Sequence, residues 1–189
     1  MLAALDRAQA KAVFFVVGEQ VARYPGVVRE IANAGHEVAF HGFRHQTRRQ
    51  WLRRILEDDT RRGLERVADA TGVVPRLYRP PHGAFSVSGL RFVRSLGLQP
   101  LLWSRWGRDW RGGATASSIA VRATTDVKAG DVVLLHDADH YCANESWRRT
   151  VAALPLIFER LEGRGLSAEA PTSLQTEVRS GSHDANIRS

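Results

Sequence analysis

The chain has 189 residues, 43% hydrophobic and 25% charged, a globular balance that sets aside a disordered or collagen-like polymer and suits a single domain. Its longest uninterrupted apolar run, residues 12–18, is too short to cross a bilayer. One cysteine, Cys142, leaves no partner for an intrachain disulfide and no cysteine-based zinc finger, so a metal site must use His, Asp or Glu.

The chain opens on helical periodicity over residues 2–8 with no N-cap in front of it. A β-branched and aromatic run at 12–17 predicts a strand, and Pro25 begins a helix over 25–34, where its missing N–H costs nothing. Further strands are predicted at 37–40, 76–78, 99–103 and 132–135. Helices are predicted at 47–71, 88–96, 115–127 and 145–162. Gly35, Gly72, Gly97 and Gly163 stand where left-handed helix caps are expected, and Pro155 is expected to kink or split the last helix. Such alternation implies a mostly parallel sheet with covering helices, either open or a barrel; five strands are too few for a closed barrel. The pattern ends near residue 167, so residues 1–166 form the domain and 167–189 read as a mobile polar tail.

Charge is uneven. The net charge is +7, and 25 of the 27 cationic side chains are Arg. Residues 44–66 hold eight Arg against four acidic residues on one predicted helix, either a solvated face or a polyanion site. No nucleic-acid motif accompanies them, and no specific nucleic acid is expected. Asp6 and Arg7 follow Met1 too closely for a secretory signal, so the sequence as written reads as cytoplasmic while the compartment of the full protein stays open.

Polar groups suited to hydrolysis collect at the carboxyl ends of the predicted strands, the face where parallel α/β folds place their sites. His41 and His45 form an i, i+4 pair that can share a tetrahedral metal, or two surface histidines. Arg79-Pro80-Pro81-His82-Gly83 is a rigid turn in which Arg79 can orient a carboxylate and the His82 N–H can face an oxyanion. His136 reads as a general acid held protonated by a carboxylate such as Asp109. The alternatives are a solvated loop, or a second metal or salt cluster of His136, Asp137, Asp139 and His140. Trp103, Trp106 and Trp110 are core residues or an indole surface for a sugar ring.

With those residues in place, the chain resembles the polysaccharide deacetylase family, the NodB-homology domain of carbohydrate esterase family 4. AKAVFF at residues 10–15, GEQVARYPGVVREIANAGHEV and HGFRH are similar to its second motif and the approach to it. Residues 79–83 resemble the third motif, Asp109-Trp110 the fourth and Leu134-Leu135-His136 the fifth, in the family's order over residues 1–166. The resemblance implies a distorted (β/α) barrel that removes acetyl groups from N-acetylated sugars or glycans with a divalent metal, usually zinc, held by one Asp and two His. Carried over by position, His41 and His45 are metal ligands and Arg79 orients the base. His82 supplies a backbone donor, Asp109 tunes His136, His136 protonates the departing amine, and Trp110 and Leu134 line the acetyl pocket.

The departures matter as much. The family's first motif, a strand ending in Thr-Phe-Asp-Asp-Gly that carries the base and the carboxylate ligand, is absent, so the expected barrel is incomplete and N-terminally truncated. Gly42 stands where Ser or Thr is usual, and His82 where Tyr is usual. Two rivals follow: a non-catalytic carbohydrate-binding or regulatory protein on the same fold, and an Arg-rich nucleic-acid binder using Arg48, Arg49, Arg53 and Arg54.

Overall fold

A computed structural model of the chain describes residues 1–46 and 53–170. The predicted helical start at 47–52, with Arg48 and Arg49, and the tail from 171 lie outside the described residues; 167–170 form neither helix nor strand. The elements in order are α1 (Leu2–Arg7), β1 (Val13–Val16), α2 (Gly18–Arg23), α3 (Pro25–Asn33), β2 (Glu37–Phe40), α4 (Arg53–Thr71), β3 (Leu77–Tyr78), a 3-10 turn (Pro81–Gly83), α5 (Val87–Ser95), β4 (Gln99–Pro100), β5 (Arg105–Trp106), α6 (Ala116–Thr124), β6 (Val133–Leu134) and α7 (Ser146–Glu162).

Every strand pair is parallel. Strands β1-β2-β3-β4 make one sheet and β5-β6 a second, and no closed barrel forms among the described residues. The expected strand at 99–103 is divided. Only Gln99–Pro100 pairs with β3, through Leu77↔Gln99 and Tyr78↔Pro100, and the chain then crosses to the second sheet as β5, which the sequence pattern did not mark. Because all strands run the same way, their carboxyl ends open on one face.

Three apolar clusters hold the layers. Phe40 and Tyr78 from the sheet pack with Val21, Val28, Val67 and Val93 from four helices. Burying a side chain such as Phe40 completely contributes about 2–3 kcal/mol. Helix α4 buries Leu56, Thr60, Gly63, Val67 and Ala70, the three- and four-residue spacing of one helical face, and leaves Arg54, Arg61, Arg62 and Arg66 exposed on the other. A Cβ at Gly63 would collide with the Phe40 ring, so the missing side chain sets the helix–sheet approach. Helices α6 and α7 pack through Ile119, Ala123, Ala153 and Ile157, and Ala4, Leu5, Phe14, Ile31 and Leu154 join α1, β1, α3 and α7.

The caps correct part of the reading. Gly35, Gly72 and Gly97 take positive φ as expected, whereas Gly163 is right-handed (φ −60°) and Gly165 takes the left-handed place (φ 69°). Helix α7 runs unbroken through Pro155, so the expected split does not occur. Pro155 has no N–H to give, and packing of Ala153, Leu154 and Ile157 holds both halves in register. Among the described residues no helix is long and apolar enough to cross a membrane.

Candidate active site

A cavity of about 650 Å³ runs along β1 and the apolar faces of α2 and α3 and opens at the carboxyl ends of the strands. Its walls include His41, His45, Arg79, His82, Trp110, Leu134 and His136; Asp109 lies just behind, fully buried. Seven of the eight residues singled out from sequence therefore share one surface, and the eighth supports it. Trp103 also lines the cavity, while Trp106 lies outside its lining and is 41% exposed.

His41 follows β2 directly, its backbone N–H continuing the ladder to the Val16 carbonyl. The ring Nδ1 lies 2.6 Å from the Arg79 carbonyl oxygen. A carbonyl only accepts, so Nδ1 carries the proton and Nε2 keeps its lone pair free, the tautomer a metal ligand needs. The chain then turns through Gly42 at φ 86° and brings the His45 ring within 5.1 Å of the His41 ring. Burial pushes the His41 pKa down to about 3, helped by the nearby His45, Arg79 and His136. Burial first, and then His82 and His136, push His45 down to about 4. Both imidazoles are neutral at neutral pH, so the donor set fits a divalent metal at two coordination positions. Among the described residues no group of three His, Cys, Asp or Glu side chains could hold a metal ion.

Arg79 is spent on backbone. Its Nε and Nη2 donate to the Leu101 and Leu102 carbonyls at 2.8 and 2.9 Å, and the guanidinium lies 3.8 Å over the Phe15 ring. Burial lowers its pKa to about 10, which leaves it charged at neutral pH. No carboxylate among the described residues pairs with it. The turn that follows puts His82 at φ 57° and Gly83 at φ 70°, and its hydrogen bonds are made by the Gly83 and Ala84 N–H groups. The His82 ring lies 4.6 Å from that of His45. A Cβ at Gly83 would meet Trp103 at 2.6 Å, so glycine is needed there for space as well as for φ.

Across the cavity, Asp109 organises His136. One carboxylate oxygen accepts the His136 backbone N–H at 2.6 Å and the Thr150 hydroxyl at 2.8 Å; the other accepts from His136 Nδ1 at 2.9 Å. Burial alone would raise the Asp109 pKa, but the hydrogen bonds and charge of His136 outweigh it and the net direction is down. Nε2 of His136 is thereby left to the cavity, and the ring stands nearly perpendicular to that of Trp110, with centroids 5.5 Å apart.

The alternative cluster of His136, Asp137, Asp139 and His140 does not form. Asp139 is instead a loop-closing residue whose carboxylate accepts the Glu145 N–H at 2.8 Å. Two contributors escaped the sequence reading. Thr150 sits in the second turn of α7 with no local mark of its role, and Tyr141 stacks on His45 at 4.4 Å from a loop without a motif.

Known proteins share the sequence pattern and the fold. A family model described as polysaccharide deacetylase matches residues 1–101. A peptidoglycan-N-acetylglucosamine deacetylase of Bacillus cereus is 32% identical over 85% of this chain and 73% of its own length. The chain spans 61%, 53% and 33% of three further curated relatives. Among solved structures, a family 4 carbohydrate esterase from Streptomyces lividans in complex with acetate superposes with a TM-score of 0.78, at 29% identity, over 88% of this chain and 82% of that one. A family 4 acetyl xylan esterase from Clostridium thermocellum in complex with a cobalt ion gives 0.80, at 25% identity, over 89% and 78%. Parallel strands with helical cover and ordered motifs at the strand ends come together in one conclusion: this chain belongs to the polysaccharide deacetylase family.

Proposed function

We propose that this chain is the catalytic domain of a metal-dependent hydrolase that removes acetyl groups from an N-acetylated glycan. One observation carries the reading: a histidine pair held neutral faces, across one cavity, a third histidine fixed by a buried carboxylate. His41 and His45 would hold the ion, zinc by the softness of the donors and the family's habit. The metal, when bound, polarises the amide carbonyl and acidifies water.

The chain's own residues do the rest. The Arg79 carbonyl fixes the His41 tautomer, and the guanidinium ties the 79–83 turn to the segment that follows β4. The His82 N–H donates to the developing oxyanion. Asp109 holds His136 with Nε2 toward the substrate, and from there a proton passes to the departing amine. Trp110 and Leu134 form the wall against the acetyl methyl group. Among the described residues no carboxylate completes a metal-holding group with His41 and His45; the family resemblance assigns the base and third ligand to an Asp-Asp-Gly strand end.

Acetate release from N-acetylglucosamine oligomers with added Zn²⁺ tests the reading, on this chain and on the same chain preceded by a strand ending in Asp-Asp-Gly. Activity in the extended form, abolished by H41A or H136A, supports it. No activity in either form defeats it and favours a sugar-binding protein on the same fold.

A further inference from the structure

We infer that Tyr141 is a positioning residue for His45, an inference that rests on the reading of His45 as a metal ligand. The two ligand histidines are oriented by different means. The His41 ring is fixed by a hydrogen bond to the Arg79 carbonyl. The His45 ring is flanked by other rings: His41 at 5.1 Å, His82 at 4.6 Å, and Tyr141 stacked nearly parallel at 4.4 Å with 16° between planes. Of these, only the Tyr141 contact is face to face, so it restricts rotation of the imidazole about its last side-chain bond.

Tyr141 can do this because it is itself tied down. Its hydroxyl donates to Glu19 Oε1 at 2.7 Å and accepts from Gln20 Nε2 at 3.4 Å. Glu19 and Gln20 form the first turn of α2. The free N–H groups of Gly18 and Glu19 in that turn bond the Gly42 and Phe43 carbonyls at 2.9 Å each. One helix start thus holds the backbone of the histidine loop and, by way of Tyr141, the plane of the His45 ring. The Tyr141 loop is braced in turn by Asp139 and by the Ala143 N–H on the Trp110 carbonyl at 3.0 Å. The frame closes around a single ligand.

Zn²⁺ alone is the probe, by calorimetry on the protein as it stands, with wild type, Y141F, Y141L and H45A. Loss of an orienting partner costs a metal site roughly 10–100-fold in affinity. Y141L should therefore weaken Zn²⁺ binding about tenfold, and Y141F, which keeps the stacked face but loses the tie to Glu19 and Gln20, by an intermediate factor of about threefold. In the metal-free protein, the ring-current shift that Tyr141 imposes on the His45 carbon-bound protons should shrink in Y141F and be lost in Y141L. Y141L binding as wild type while H45A does not overturns the role of Tyr141 and leaves the site intact. H45A binding as wild type overturns His45 as a ligand, and the inference with it.

Discussion

Replacing Asp109 with alanine tests the most buried part of the site. The side chain is fully buried and accepts three hydrogen bonds, two from His136 and one from Thr150. Thr150 has a second acceptor, the Ser146 carbonyl at 3.3 Å, and so recovers part of its loss. The His136 backbone N–H and ring Nδ1–H are left without the partner that held them. An orphaned buried donor costs about 1–3 kcal/mol; the half-buried His136 ring can turn partly to water, so Asp109→Ala should destabilise the domain by roughly 2–4 kcal/mol. At about 2–4 °C per kcal/mol for a chain this long, the melting temperature should fall by roughly 10 °C. Asp109→Asn, whose amide accepts through oxygen but turns a nitrogen toward one donor, should cost about half as much. Urea denaturation followed by tryptophan fluorescence measures both. If Asp109→Ala unfolds within about 1 kcal/mol of wild type, the carboxylate does not anchor His136 and the proposed acid loses its support.

Three further outcomes follow from the same geometry. Arg79→Lys cannot reproduce the fork onto the Leu101 and Leu102 carbonyls, and should cost about 2 kcal/mol in urea denaturation; an unchanged midpoint would show the fork to be idle. Stability should fall as pH drops from about 6.5 toward the folded values of about 4 for His45 and about 3 for His41, because the unfolded chain binds protons there that the folded one refuses. Each histidine adds about 1.4 kcal/mol per pH unit to that slope, Asp109 contributes only at lower pH, and a profile no flatter in His45→Gln than in wild type would contradict the assignment. Gly63→Ala should drive a methyl group into Phe40 and cost about 1–3 kcal/mol, and a neutral substitution would mean that α4 can lift off the sheet freely.

Much of this protein could be read from residue order. Strand 37–40 was placed to the residue, and the helices beginning at Pro25, Val87, Ala116 and Ser146 to within three, because periodicity, caps and prolines are local signals. The histidines, Arg79 and Asp109 drew attention because chemistry-bearing side chains stood at strand ends, where a parallel fold collects them. Helix α2 was not foreseen. It has six residues, and its opening N–H groups are satisfied by the carbonyls of Gly42 and Phe43, partners that exist only once the chain has folded. The same holds for the division of strand 99–103, which depends on which sheet has a free edge, and for Arg79, whose guanidinium meets carbonyls 22 and 23 residues away. Thr150 and Tyr141 reach their partners across 41 and 122 residues. Local order therefore determined most of the elements and which residue types reach the rim. The tertiary packing alone decided which lone pair, ring face or proton each presents, because those partners are distant in sequence and adjacent only in space.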